Sequence, residues 1–545
     1  MQKVLTAEQM REVDRLTTEE YGLPSLLLME NAAQAAARVI CDRLDGSLEG
    51  ASILVFCGKG NNGGDGAALA RQLWTQGANV EVCLIGLVSA TKGDARTNFE
   101  IIRKIADRET FDVDQSDLAF EEISSLEDWM EYDSLNFQAD DPDVIVDALF
   151  GTGLSEPLEG VYAEVAAFIH SYGVEPDGPL VVSLDIPSGL CAGKGETIGI
   201  APCADVTVTY TAPKPGNILP PASRYNGDLA VADIGSPCEL VNRIDSKLYL
   251  ATKEDAQRWL AATEFTPDSY KFKRGHALLI AGSADYSGAA VLCGDAAIRS
   301  GVGLVTIATP ESSRSSIIGR VQPEVIVRGV AETKKGAISE NATDEIGKFI
   351  ERKVTAVAIG CGMSSDEETT RKFVRSVVEN RSTPVVIDAD GLNSLAPFGI
   401  TGSDELPLIL TPHIGEFKRL LGTEDEITDP VSTLREFAEQ HKVFVVLKGE
   451  RPMIADPKGC IVVSPTGNSG LGKAGNGDTL TGLIVGFVAQ AAAAKIAIFE
   501  TLVAAVYLSG LAGDIAEEKY GKRVMTASDV RECFRDALEA VVESE

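Results

Sequence analysis

The sequence predicts an α/β fold in two domains, each organised around a largely parallel sheet. Three observations carry this. The chain has 545 residues, too many for a single core. Short buried-strand patterns alternate with helical patterns in both halves, as they do when helices cover both faces of a parallel sheet. Glycine-rich turns follow several of those strands, where open parallel sheets bind their ligands.

Taken in order, residues 6–20 and 30–44 carry helical patterns, and Ser52–Cys57 (SILVFC) reads as a buried strand. A glycine-rich turn follows, then a helix from about Gly66 to Trp74. Further strands are expected at Val80–Ile85, Val144–Asp147, Leu180–Leu184 and Val206–Tyr210. The acidic stretch around 107–143 shows little pattern and reads as a surface excursion. After Pro237 the chain turns charged and mixed, so we divide it into domains 1–240 and 241–545. From Ala277 a second series begins: ALLIAG, GLVTIAT, AVAIGCG, PVVIDADG, LILTPH and VFVVLKG, then long Ala/Gly-rich helices. No sequence repeat relates the halves.

Charge and cysteines narrow the function. With 49 basic and 81 acidic residues the net charge is −32, which argues against a general nucleic-acid binder. An anion can still be held by backbone amides. The 10 cysteines form no CxxC pair and no Cys/His cluster at zinc spacing, and Cys57, Cys83 and Cys293 sit in apolar runs. The N-terminal MQKVLTAEQMREVD has no apolar signal core. A reducing cytosol is the expected compartment. The apolar run from Ile496 contains Glu500 and follows Lys495, so it reads as a buried helix and not a membrane span.

Three loops of the first half carry polar motifs at strand ends. GKGNNGGDG (Gly58–Gly66) follows SILVFC; its glycines and asparagines tolerate positive φ, and its amides would open the next helix toward a diphosphate. A tight βα turn with no ligand is the plainer account. Asp147 lies in DALFGTGL, ahead of Gly151 and Gly153, and Asp185 lies in SLDIPSG. One strand-end aspartate is often only a cap, but three such loops (58–66, 147–154 and 185–189) converge on one sheet edge.

In the second half GNSGLGKAGNGDTLTG (467–482) precedes a strong helical pattern. Gly475 and Gly477 would leave amides free at the helix start as an anion hole, and Asp478 in the first turn could take a proton from a hydroxyl attacking a phosphate. The helix dipole should keep Asp478 ionised and lower its basicity. An N-capping Asp with packing glycines is the alternative. Lys448, Gly449 and Arg451 follow a strand and suit nucleotide phosphates or plain solvated charge. Asp388 and Asp390 suit Mg²⁺ or capping. His413, in LTPHIGE before a helix, is more often structural than chemical.

GKGNNGGDG, DALFGTGL, DIPSGL and TYTAPKPGNILPP…GDLAVADIG, in that order, resemble the NAD(P)H-hydrate epimerase family over most of residues 1–240. The resemblance implies a Rossmann-like doubly wound sheet and a K⁺ ion at Asn62, Asp147 and Ser188. It implies that the loops Asn61, Asn62, Gly63, Gly64, Asp65 and Gly151, Thr152, Gly153 cradle the hydrated cofactor, with catalytic Asp185 at the nicotinamide end. Cys191 stands where that family often has Asp.

AIGCGM, VIDADGLN, LTPHIGEF, VVLKG and the 467–482 segment resemble the ribokinase-like superfamily, and within it the NAD(P)H-hydrate dehydratase branch, over roughly 270–535. This implies ADP or ATP as co-substrate, with Mg²⁺, held by Lys448, Gly449, Glu450, Arg451, Pro452, Gly475, Asn476 and Gly477. Gly362, His413 and Asp478 would face the hydrate, with Asp478 as base. AGNGD replaces the commoner GGSGD. The implied protein is a cytoplasmic homo-oligomer that repairs hydrated NADH and NADPH. A vitamin-precursor kinase with a non-catalytic first half is the competing reading.

Overall fold

The computed structural model describes residues 1–107, 117–136 and 142–542. They form two compact units: Lys3–Ser246, and Lys247–Glu545 together with Met1–Gln2.

The first unit holds a seven-stranded, all-parallel sheet in the order Leu118–Ile123, Asn79–Ile85, Ser52–Cys57, Val144–Ala148, Leu180–Leu184, Val206–Tyr210, Asp228–Ala232. The interior strand Ser52–Cys57 shows why both faces are covered. Ile53, Val55 and Cys57 face one apolar cluster, while Leu54 and Phe56 face another, because side chains alternate across a strand. Helices Ser25–Arg43 and Asn61–Thr75 supply much of the first cluster, and Val161–Gly173 much of the second.

Two expectations need correction here. The stretch 107–143 is not a featureless excursion: it carries the edge strand Leu118–Ile123 and the helix Leu126–Asn136, while 108–116 and 137–141 lie outside the described residues. The helix after SILVFC begins at Asn61, not near Gly66. Its glycines serve close packing and not a left-handed turn. A Cβ on Gly63 would sit 1.7 Å from the Gly58 carbonyl oxygen, and one on Gly66 2.6 Å from Ala148 Cβ.

The second unit holds an eleven-stranded sheet. Phe444–Leu447, Leu408–Leu410, Val385–Ile387, Ala356–Ile359, His276–Ile280, Leu304–Pro310 and Ile326–Val330 run parallel, in that order. Met453–Ala455 and Ile461–Val463 add antiparallel strands next to Phe444–Leu447, Ile461–Val463 then pairs in parallel with Leu248–Leu250, and Gln2–Lys3 is the eleventh strand at that edge. Helices Asn476–Ala494 and Ile498–Tyr520 are long and apolar enough to cross a membrane by length and composition, but 67% and 56% of their most apolar windows are buried in the protein. Trp259 stacks on Phe487 at 3.8 Å. Gly482 and Gly486 let Asn476–Ala494 press against Ser287–Arg299: a Cβ on Gly482 would lie 2.2 Å from the Cys293 carbonyl oxygen.

Candidate functional site

In the first unit, buried strands deliver their carboxyl ends to one cavity. Asp147, near the end of Val144–Ala148, is wholly buried. Its carboxylate accepts hydrogen bonds from Ser188 Oγ (2.6 Å), the Ser188 N–H (2.8 Å), Ser183 Oγ (3.0 Å) and the Leu149 N–H (3.2 Å). Burial raises its pKa against the pull of those donors. Asn62 lies in the first turn of its helix, 8% exposed, with both side-chain polar atoms unpartnered among the described residues. Gly151 keeps the loops close: a Cβ there would lie 3.0 Å from Asp185 Oδ2 and 3.4 Å from Asn62 Oδ1.

Asp185 follows Leu180–Leu184 with φ +64°, a left-handed conformation that only a tightly held non-glycine residue keeps. Its N–H donates to the Val208 carbonyl at 2.7 Å, and the Asn217 amide donates to its carbonyl at 3.2 Å. Its Oδ1 accepts from Lys214 Nζ at 2.6 Å, and the same ammonium donates to Thr209 Oγ1 and the Tyr210 carbonyl. The cavity is about 600 Å³, and Asn61, Asn62, Asp65, Gly151, Thr152, Gly153, Asp185 and Lys214 all line it. Gly63 and Gly64 pack inward against Gly58 and Ala95, and Asp147 and Ser188 lie outside the cavity wall. Burial, then the charges of Asp185 and Asp14, hold the Asp65 carboxyl well above its ordinary pKa.

In the second unit, Asp388 ends the strand Val385–Ile387 and organises the site. Lys448 Nζ donates to its Oδ1 at 2.7 Å, and Thr481 Oγ1 to its Oδ2 at 2.7 Å. Burial pulls the Lys448 pKa down, but Asp388 and Glu416 outweigh it and the ammonium ends above its usual value. Gly475 caps the helix Asn476–Ala494 with φ +94°, and a Cβ on Gly477 would lie 3.5 Å from Lys448 Nζ. The helix start, Lys448 and Asp388 therefore meet.

Asp478 departs from expectation. Its pKa is raised to about 6, by burial first and then by the Asp388 charge. A rise from 3.8 to about 6 is worth about 3 kcal/mol, against ~0.3–1 kcal/mol for a helix end, so the dipole loses. Asp390 accepts the Ser364 N–H at 2.9 Å, and its charge adds to the rise of the Asp478 pKa. His413 caps the helix Ile414–Leu421: its Nδ1 accepts from the Gly415 N–H at 3.0 Å, while Glu416 accepts from the His413 N–H at 2.9 Å. Half of the His413 side chain stays exposed. The Lys448 N–H donates to the Pro412 carbonyl at 2.8 Å, which sets the His413 and Lys448 loops side by side. Gly362, at φ +61°, packs against Tyr286 and Ala289. Gly449, Glu450, Arg451 and Pro452 form the turn before Met453–Ala455, where Arg451 donates to the Pro465 carbonyl. Asn476 Nδ2 holds the Leu471 carbonyl at 3.0 Å.

Sequence reasoning missed Lys214, Asp14 and Thr481. Lys214 had a signal, being the lone charge in TYTAPKPGNILPP. Thr481 sits within the quoted 467–482 motif without any mark of its own.

Comparison with known proteins agrees over nearly the whole chain. A family model described as NAD(P)H-hydrate dehydratase matches residues 277–535, and one described as YjeF-related protein N-terminus matches residues 25–216. A bifunctional NAD(P)H-hydrate repair enzyme of Moorella thermoacetica is 36% identical over 97% of this chain and 95% of its own. One of Thermofilum pendens is 35% identical over 99% and 97%. A solved Bacillus subtilis structure, described as an ADP/ATP-dependent NAD(P)H-hydrate dehydratase co-crystallised with ATP and Mg²⁺, is 30% identical, covers 54% of this chain and 98% of that one, and has a TM-score of 0.45. With both halves matched in order and relatives above 30% identity across almost their full length, this chain belongs to the bifunctional NAD(P)H-hydrate repair enzymes.

Proposed function

We propose that the first unit interconverts the R and S hydrates of NADH and NADPH, and that the second dehydrates the S form with ADP or ATP, ADP being favoured. The observation that carries the first activity is the Asp185–Lys214 pair in the cavity: a carboxylate hydrogen-bonded to a buried ammonium, in a strained backbone position, at the sheet's carboxyl edge. Hydration places a hydroxyl on the carbon beside the ring nitrogen, and epimerisation requires proton exchange at that hydroxyl. Asp185 is the group for this exchange, and Lys214 fixes its orientation.

Asn62 suits a cation, since an isolated buried amide needs a partner and its Oδ1 is a hard donor. Asp147 and Ser188, hydrogen-bonded to each other at 2.6 Å, offer further oxygens, and K⁺ is the ion we assign to these three residues. Bound there, it would add positive charge for the cofactor's phosphates.

In the second unit Asp478 takes the proton of the hydrate hydroxyl as that oxygen bonds to the terminal phosphorus of the nucleotide. A pKa of about 6 leaves it ionised at neutral pH yet basic enough to accept the proton. Phosphate then departs as the neighbouring carbon loses a proton, which restores the ring double bond. Lys448 and the amides behind Gly475 and Gly477 face the phosphate charge, and Mg²⁺ accompanies the nucleotide.

The test is to give the protein mixed R and S NADH-hydrate with nucleotide, Mg²⁺ and K⁺, and follow recovery of the reduced-nicotinamide absorbance. Complete recovery is expected. Recovery of the S fraction alone would refute the epimerase assignment, and none with either nucleotide would refute the dehydratase.

A further inference from the structure

The helix Ala7–Tyr21 also reaches the epimerase cavity, through Met10, Arg11 and Asp14. Met10, Val13, Asp14 and Thr17 fall at helical spacing on one face. Met10 and Val13 pack with Leu5, Ala212 and Leu240, and Thr17 Oγ1 bonds back to the Val13 carbonyl at 2.8 Å. A carboxylate on such a face is costly unless it is satisfied. Asp14 is not satisfied: its Oδ1 is shut off from bulk solvent and has no hydrogen-bond partner among the described residues. Asp147, by contrast, has four donors. The charged groups facing Asp14 are Lys214, Asp185 and Asp65, with Arg11, Lys59 and Asp94 also on the cavity wall.

We infer that Asp14 is a second catalytic acid–base residue of the epimerase site, delivering a proton to the departing hydroxyl of the hydrate. The inference rests on the epimerase reading above. The proton moves from the Asp14 carboxyl to the hydroxyl oxygen, the C–O bond breaks, and its electron pair leaves with water. The ring-nitrogen lone pair closes an iminium bond. Water then adds to the opposite face, a new C–O bond forms, and the surplus proton passes to Asp185. The reverse reaction uses the two acids in exchanged roles, and solvent exchange resets them. No oxidant or reductant is consumed. The carboxyl groups of Asp14 and Asp185, both on the cavity wall, can stabilise a cationic intermediate there. Burial lifts the Asp14 pKa to about 6, with Lys214 drawing it down and Asp185 pushing it up, so both protonation states are accessible near neutrality. The helix lies before residue 25, outside the segment that matches the family model.

The experiment uses the full chain with purified R-hydrate and no nucleotide, so that only epimerisation runs, followed by chromatography of the epimers. Asp14→Asn should slow it by ~10²-fold or more and erase the ionisation near 6 from its pH profile. Dehydration of S-hydrate by the same preparation should be unchanged, the unfolding transition of the first unit should match the parent's, which controls for folding, and Asp14→Glu should restore part of the rate. Epimerisation by Asp14→Asn within about threefold of the parent, or a slower rate that keeps the ionisation near 6, overturns the proposal. Parent protein that dehydrates S-hydrate but leaves R-hydrate untouched overturns the epimerase reading as well.

Discussion

Lys214 Nζ stands 2.6 Å from Asp185 Oδ1, and the lysine side chain is only 2% exposed. An ammonium so placed has no water to fall back on. Lys214→Ala would leave Asp185 as a confined charge without its partner, a loss of about 3–5 kcal/mol in comparable buried pairs. Urea unfolding of the variant should show the first unit melting early, and R-hydrate should no longer be epimerised. Lys214→Arg, with a guanidinium too large for the slot, should not rescue either property.

Asp478 predicts opposite effects on activity and stability. Asp478→Asn should abolish dehydration while leaving epimerisation intact. A carboxyl whose folded pKa is raised binds its proton earlier in the folded state than in the unfolded one. Its charge therefore opposes folding above about pH 6, and the opposition fades as pH falls from about 6 toward 3.8. The Asn variant should be more stable than the parent by ~1–3 kcal/mol at pH 7, and this advantage should vanish at pH 4, as read by denaturant midpoints. Parent dehydratase activity should fall on acidification through pH 6.

Gly482→Ala should be harmful although alanine is the better helix former. Its Cβ would lie 2.2 Å from the Cys293 carbonyl oxygen, which is backbone and cannot swing aside. The two helices must part, at a cost of ~1–3 kcal/mol or more. A drop in melting temperature of the second unit, with the first unchanged, is the expected calorimetric trace.

Asn62 ties the cation proposal to a measurement independent of activity. KCl should raise the melting temperature of the parent more than choline chloride at equal ionic strength. Asn62→Leu should remove the difference. Equal effects of the two salts on the parent would dismiss the ion.

Much of this was legible in the sequence, for reasons of pattern. Buried strands such as Ser52–Cys57 and Leu180–Leu184 are continuous apolar runs, and the motif loops sit where parallel sheets display their ends. The edge strand Leu118–Ile123 was not legible, because LAFEEI is half exposed and acidic. Short strands Met453–Ala455 and Ile461–Val463 offer three residues each, too few for a period. The glycines of GNNGGDG were legible as special but not for the right cause: close approach of a helix to a strand leaves the same mark as a left-handed turn. At the sites, the misreading of Asp478 came from weighing a dipole that sequence reveals against a desolvation that only packing reveals. His413 is similar, since its capping of Gly415 needs backbone geometry to be seen.

The strand orders also say something about synthesis. In the first unit Ser52–Cys57 leaves the ribosome first and lies centrally; later strands extend the sheet outward, two on one side and then four on the other. None has to wedge between partners already joined. The other sheet grows outward from His276–Ile280 in the same manner, except at one edge: Gln2–Lys3 and Leu248–Leu250 are made early, yet Ile461–Val463, the neighbour of Leu248–Leu250, arrives some two hundred residues later. A nascent chain can thus lay down almost the whole of each sheet as it emerges, and that one edge is what must wait for the end of translation.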